Sequence, residues 1–436
     1  MTNILHKLAL LLCLLAITAS AFAGPEAEYK KLSKAYTLNA DGSQEFRYSM
    51  ELTLFTHTAM NGTYGESFIV YNPQYQELKI NSSYTRQKDG NIVKTPDNAF
   101  VEVLPRTAAD APAYNHLKEM VVVHTGLELG ATIYLDYTLT SKPGYLPELD
   151  IYNELLQTSP VKEYTISLSA PESKPLSYTL QYNNAKPAVT TANGMKTVTW
   201  KLQNLPASSR DPFVSAANGD VPFLTATTYA SNGDALKALY AQFTPANDVQ
   251  LTAIAENLTE GKKNDTEKLQ AILKHVTENL GYSRLSLPDA GYKIRSASDV
   301  IYSAYGTEAE KTNLLNGLLN AAGIKAETAA SYSVNAEPAS YGLSAIKELV
   351  VIANADGKQY IMSPSSNKMA AAGSNNLTPV ISLTKAGTPV TISTPATDLT
   401  YKVTLSVSPE KADAKVDATI GNAYLPYYGA YLSTYA

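Results

Sequence analysis

Glu308-Ala309-Glu310-Lys311-Thr312-Asn313-Leu314-Leu315-Asn316-Gly317-Leu318-Leu319-Asn320-Ala321-Ala322-Gly323-Ile324 is the stretch on which the reading of this chain turns. Leu314, Leu315, Leu318 and Leu319 fall on one side of a 3.6-residue repeat, so the spacing predicts a helix from Glu308 to about Ala322. Gly323 is its natural stop, because glycine enters the left-handed conformation that closes a helix without a steric penalty. A carboxylate at Glu308 complements the helix dipole by roughly 0.3–1 kcal/mol. The run Glu308 to Lys311 reads as a solvated helix start, and helical spacing points Glu310 away from Glu308.

Outward from this segment the pattern stays helical on the N-terminal side. Leu236 to Phe243, Asp248 to Leu258, Asp265 to Leu280 and Ser298 to Tyr305 have helical spacing. In the third of these, Leu269, Ile272, Leu273 and Val276 form the apolar stripe, with Asn264 as N-cap and Glu267 in the first turn. His275 sits beside the stripe as a boundary residue, and no other histidine follows it. On the C-terminal side, Leu349 to Ala353 and Gln359 to Met362 read as strands joined at Asp356-Gly357. Beyond Ala370 the chain is rich in Ser, Asn and Thr; alternation returns at Tyr401 to Val407.

From Glu28 to about Tyr229 the chain is strand after strand. Phe46 to Leu52, Thr132 to Thr140, Tyr164 to Leu168, Ser177 to Tyr182 and Thr197 to Leu202 alternate with period two, and Asp89-Gly90 marks a tight hairpin. Many short strands with Gly, Pro and Asn between them predict a sandwich. Trp200, the single tryptophan, is read as packing. The 30 tyrosines against 8 phenylalanines suit sheets wet on one side, or a contact surface for glycan or protein.

Leu8 to Ile17 is apolar, follows Lys7 and precedes Ala21-Phe22-Ala23, which predicts a secretory signal peptide cleaved before Gly24. The run is too short to span a bilayer. Cys13, the only cysteine, lies inside it between Leu12 and Leu14, a setting unlike that of a lipid-modified cysteine. The mature chain of about 410 residues therefore holds no thiol and no disulfide, and it is long enough for two or three domains. Losing Lys7 takes the formal charge from −5 to −6, which argues against a nucleic-acid partner.

Arg295-Ser296-Ala297-Ser298-Asp299-Val300, Tyr305-Gly306, Lys311 and the Leu314 to Ile324 stretch together resemble the core of bacterial transglutaminase-like domains. Ile272 to Tyr282 is similar to the family's preceding helix and its tyrosine, and Leu349 to Pro364 to the strand pair carrying its histidine and aspartate. Leu104-Pro105, Tyr114, Leu117-Lys118, Gly130 to Tyr134 and Pro160-Val161 resemble the domain of unknown function that precedes such domains in exported bacterial proteins. In that family a helix-N-terminal cysteine thiolate acts with a histidine oriented by an aspartate. The resemblance puts Glu308 at the cysteine position, Glu348 at the histidine position and Ser363 at the aspartate position.

Two readings of these replacements compete. In one, Glu308 is only a first-turn residue and Glu348 an exposed charge at a strand edge. In the other, Glu308 and Glu348 meet and bind a hard cation or act as acid and nucleophile on a glycan. His116, His124 and Ser209-Arg210-Asp211 are read as ordinary surface or boundary residues. At the C-terminus, alternation would put Tyr427, Tyr431 and Tyr435 on one face, as an exposed aromatic strip or as packing.

The expected architecture is α+β and multidomain. It comprises a signal peptide (1–23), a β-sandwich (24–232), a papain-like or transglutaminase-like α+β core (233–392) and a short C-terminal β segment (393–436). The expected role is non-catalytic, with no cofactor: binding or scaffolding of a protein or glycan in the periplasm or at the cell surface. The alternatives are an enzyme built on Glu308 and Glu348, and a purely structural module of an exported assembly.

Overall fold

Period-two alternation becomes one broad sheet with a greasy inner face. The computed structural model describes residues 24–208, 221–245, 248–332, 340–365, 368–371, 380–383, 389–390 and 399–420. Cys13, Ser209-Arg210-Asp211, Tyr424, Tyr427, Tyr431 and Tyr435 lie outside the described residues, so the readings placed on them are untouched by it. The broad sheet has eight strands in the order Ala188–Ala192, Met195–Leu205, Val161–Pro171, Ala27–Leu38, Gln44–Leu54, Thr132–Ser141, Gln76–Arg86 and Ile92–Lys94. All its neighbours are antiparallel except Ala27–Leu38 against Val161–Pro171.

Two three-stranded sheets close over its inner face: Ser177–Gln181, Phe223–Thr227 and Asp150–Glu154 in one, Glu66–Tyr71, Lys118–Val123 and Phe100–Val103 in the other. Leu32, Leu52, Ile133, Ile166 and Val198 from the broad sheet meet Ile69, Val122, Ile151 and Leu224 from the covering sheets in one core. Trp200 is buried there with its indole edge-on to Tyr178, 5.4 Å between ring centroids. The N-terminal domain is a sandwich, as its alternation predicts. One assignment changes. His124 is buried rather than peripheral; Ser67 Oγ lies 2.8 Å from its Nε2, and burial pushes its pKa down to about 4. It lies just past the end of Lys118–Val123, where its N–H donates to Gly65 O at 2.9 Å, and it is buried like Val122.

The helices are α1 (Asn232–Tyr240), α2 (Val249–Thr259), α3 (Asp265–Glu278), α4 (Ala297–Ser303) and α5 (Glu308–Ala321). Helix α5 is the spine of the second domain. Leu314, Leu315, Leu318 and Leu319 are fully buried among α2, α3, α4 and a six-stranded antiparallel sheet. That sheet runs Lys368–Ala371, Lys358–Ser363, Glu348–Ala355, Ala326–Ser331, Val380–Ser382, Pro389–Val390. Gly317 lets α2 approach: a Cβ there would stand 2.7 Å from Leu251 Cδ1. The helix closes at Gly323, φ +78°, with Ile324 N–H donating to Leu319 O and Gly323 N–H to Asn320 O, the double bond pattern of a Schellman stop.

The domains meet along two seams. At one, Asp150 of the sandwich accepts hydrogen bonds from the Leu343 and Ser344 amides and the Ser344 hydroxyl. At the other, Tyr114 and Leu117 pack with Leu285 and Tyr305, and Tyr305 Oη accepts from Ala113 N–H at 2.7 Å. Further on, Leu399–Val407 and Ala412–Ile420 pair as an antiparallel hairpin, the described part of the C-terminal β segment.

Candidate functional site at the start of helix α5

Thr307 caps α5 through a reciprocal box: its Oγ1 accepts from Glu310 N–H, and its own N–H donates to Glu310 Oε2 at 2.8 Å. This fixes Glu308 as the first helical residue, facing the central strands of the sheet. Its carboxylate accepts a hydrogen bond from Leu349 N–H. The neighbouring Glu348 opens the strand Glu348–Ala355, and its carboxylate accepts from Ser363 Oγ at the end of the paired strand. Glu308, Glu348 and Ser363 thus lie in sequence across helix, first strand and second strand, in the order implied for cysteine, histidine and aspartate.

The electrostatics of the trio are uneven. Burial pushes Glu308 up to about 7; the charge of Glu348 adds to this, and the Leu349 amide only partly offsets it. Glu348 is half-buried and bonded to Ser363, so it is not the exposed edge charge that one sequence reading expects. Tyr282, in the short strand Gly281–Tyr282 that follows α3, is pushed up by burial and by the charges of Glu308 and Glu348. Lys311 corrects another expectation. Far from being solvated, it is buried, donates to Leu280 O at 3.1 Å and stands 5.6 Å from the Tyr282 ring. Burial pulls its ammonium down to about 8.

Glu310 is also fully buried, where the charged run suggests a wet helix start. Arg295 grips it with Nε 2.9 Å from Oε1 and Nη2 3.0 Å from Oε2. The Arg295 amide donates to Oε1 at 3.1 Å, and Tyr114 Oη from the sandwich donates to the same oxygen. The guanidinium is also bound to Ser303 Oγ and Tyr305 O, and it lies 4.5 Å from the Tyr305 ring centroid. Burial works against ionisation of Glu310, but Arg295, Tyr114 and the Thr307 amide outweigh it and hold the carboxyl below its usual range. The T-x-x-E spacing of Thr307 and Glu310 is a readable capping signal that sequence reasoning passed over; Tyr114, 196 residues away, left none.

Chemically, the trio can hold and move a proton, but it has no thiolate to form a thioester and no imidazole to shuttle. The chain has no cysteine after Cys13 and no histidine after His275. Among the described residues no three His, Cys, Asp or Glu side chains gather as a metal site.

A family profile described as the transglutaminase-like superfamily matches residues 252–361, and that of a domain of unknown function, DUF3857, matches residues 40–209. The crystal structure of a candidate protease from Parabacteroides distasonis ATCC 8503 is similar at 52% identity, with a TM-score of 0.80 over 85% of this chain and 72% of that one. A candidate cysteine protease from Cytophaga hutchinsonii matches at 13% identity over 62% of this chain and 88% of that one, with a TM-score of 0.25, too low to bear on this fold. No curated protein matches. At 52% identity to a structure of which it covers 72%, the chain belongs to the transglutaminase-like superfamily, as a member carrying a DUF3857 domain ahead of the transglutaminase-like one.

Proposed function

We propose that this is an exported protein of the bacterial envelope that binds or scaffolds a protein or glycan partner and performs no transglutaminase, amidase or thiol-protease reaction. One observation supports the reading: Glu308, Glu348 and Ser363, which the resemblance puts at the family's three chemical positions, lie together at the start of α5 and hold neither thiol nor imidazole. A thiolate nucleophile cannot be borrowed from elsewhere, because Cys13 lies in the signal-peptide pattern. That pattern supports export to the periplasm or cell surface. Among the described residues no helix is long and apolar enough to cross a membrane.

A second reading has a specific observation behind it. Glu308 is poised near 7 beside the Glu348 carboxyl, and an acid that holds its proton near neutrality is what a general acid in glycoside hydrolysis requires. The protease name given to the Parabacteroides protein would suit this chain only through such acid chemistry, not through a thiol. One assay separates the readings. The chain from Gly24 is incubated with glutamine peptides and an amine donor, with unstructured protein substrates, and with cell-wall glycans. The binding reading expects product at the blank level throughout. Turnover that disappears in Glu308→Gln would overturn it and establish the acid-pair enzyme.

A further inference from the structure

Between the two domains, bordered by Tyr114 and Arg295, lies a cavity of about 520 Å³. Its N-terminal wall carries Asn72, Gln74, Tyr75, His116 and Tyr145; its other wall comes from Ala290 to Arg295, with Lys293 at the rim. Tyr75 and Tyr145 stack in parallel, 5.0 Å between centroids and 2° between planes. Tyr145 is held in place. The Pro143-Gly144 turn, with Gly144 at φ +79°, delivers it, Tyr145 N–H donating to Lys142 O at 3.2 Å. Gly291 at φ +65° leaves room for its ring, since a Cβ there would stand 2.6 Å from Cε2. Tyr75, by contrast, is 46% exposed.

A tyrosine ring backed by a second, flanked by the exposed Gln74 carboxamide and an imidazole, suits a sugar: the ring packs on its C–H face while the amide meets its hydroxyls, and the buried Asn72 carboxamide is spent on Tyr145 Oη and the Gln74 amide. The charge is one-sided. Among the described residues no acidic side chain lines the cavity. The nearby carboxylates are engaged, Glu310 with Arg295 and Asp289 with Ser286 Oγ at 2.6 Å. Lys293 is left as an exposed ammonium at the mouth.

We propose that this interdomain cavity binds an acidic saccharide, with Tyr75 as the stacking platform and Lys293 as the partner of the sugar carboxylate. The proposal rests on the binding reading above and gives it a ligand class. Calorimetric titration of the chain from Gly24 with tetragalacturonate tests it, with maltotetraose as the uncharged saccharide and a tetraglutamate peptide as the non-sugar polyanion. Tetragalacturonate is expected to bind more tightly than both. Tyr75→Ala and Lys293→Gln are each expected to weaken it at least tenfold with melting temperature unchanged, and Lys293→Gln to leave maltotetraose unaffected. Two results overturn the proposal: no binding of tetragalacturonate, or binding that neither variant alters. Tetraglutamate binding as tightly, lost in Lys293→Gln but kept in Tyr75→Ala, also overturns it and makes the cavity a peptide site. None of these results touches the reading of the α5 trio, which falls only on turnover.

Discussion

Glu308 and Glu310 stand two residues apart in the first turn of one helix, and their surroundings treat them oppositely. Glu310 is enclosed by a guanidinium, a phenol and two amides and stays ionised in a fully buried place. Glu308 has one amide, faces a second carboxylate and holds its proton up to about neutrality. The contrast separates architecture from chemistry. Glu310 belongs to a network that locks the helix start to the sandwich, and a charge is tolerated there because every oxygen is occupied. Glu308, which the resemblance puts at the family's nucleophile position, is in a setting that does not stabilise a carboxylate.

Removing Glu310 should have the largest effect. Glu310→Ala leaves Arg295 partly buried without its counter-ion and is expected to cost about 3–5 kcal/mol, read by urea unfolding. A loss under about 1 kcal/mol would mean that the pair is not a structural lock. Leu318→Ala, which empties a fully buried position on the same helix, is expected to cost about 2–5 kcal/mol. Wild-type melting in that variant would contradict the place of α5 in the core. Tyr114→Phe removes a single hydrogen bond to a charged acceptor and is expected to cost about 1.5–3 kcal/mol. A neutral result would show that the sandwich side of the lock is passive.

At Glu308 the effect is expected to vanish at acid pH and to carry the opposite sign above it. Its folded pKa is raised, so between about 4.5 and 7 the folded state binds more protons than the unfolded one, and stability is lost as pH rises through that window. Glu308→Gln keeps an acceptor for Leu349 N–H without the charge. It is expected to match wild type near pH 4.5 and to exceed it by about 3 kcal/mol at pH 8. The dipole argument alone would have Glu308 favour folding at every pH above its pKa. Equal stability of the two proteins at pH 8 would restore that simpler view.

Much of this was legible in local pattern. The leucine stripe of α5, the stop at Gly323, the hairpin of Leu349 to Met362 and the alternation of Thr132 to Thr140 are all carried by residues close in sequence. The motif around Glu308, Glu348 and Ser363 singled them out, and the fold brings them to one place. What escaped was long-range. A charged run such as Glu308 to Lys311 reads as solvated until Arg295, Tyr114 and Leu280 O are found around it, and only the fold brings those together. His124 reads as peripheral until Ser67 meets it across the strand pair. The seam in which Asp150 receives the Leu343 and Ser344 amides spans about 190 residues, and no local pattern announces it.

The contrast between the two glutamates is most directly measured by their own titrations. Carboxyl-carbon NMR of the chain from Gly24, labelled at glutamate Cδ and assigned with Glu308→Gln and Glu310→Gln, follows each from acid to neutral pH. A Glu308 midpoint near 7 with Glu310 still ionised below 4.5 is the predicted result. Glu308 titrating at 4.5 or lower would contradict the account, since it would show a site that stabilises a carboxylate as the Glu310 site does.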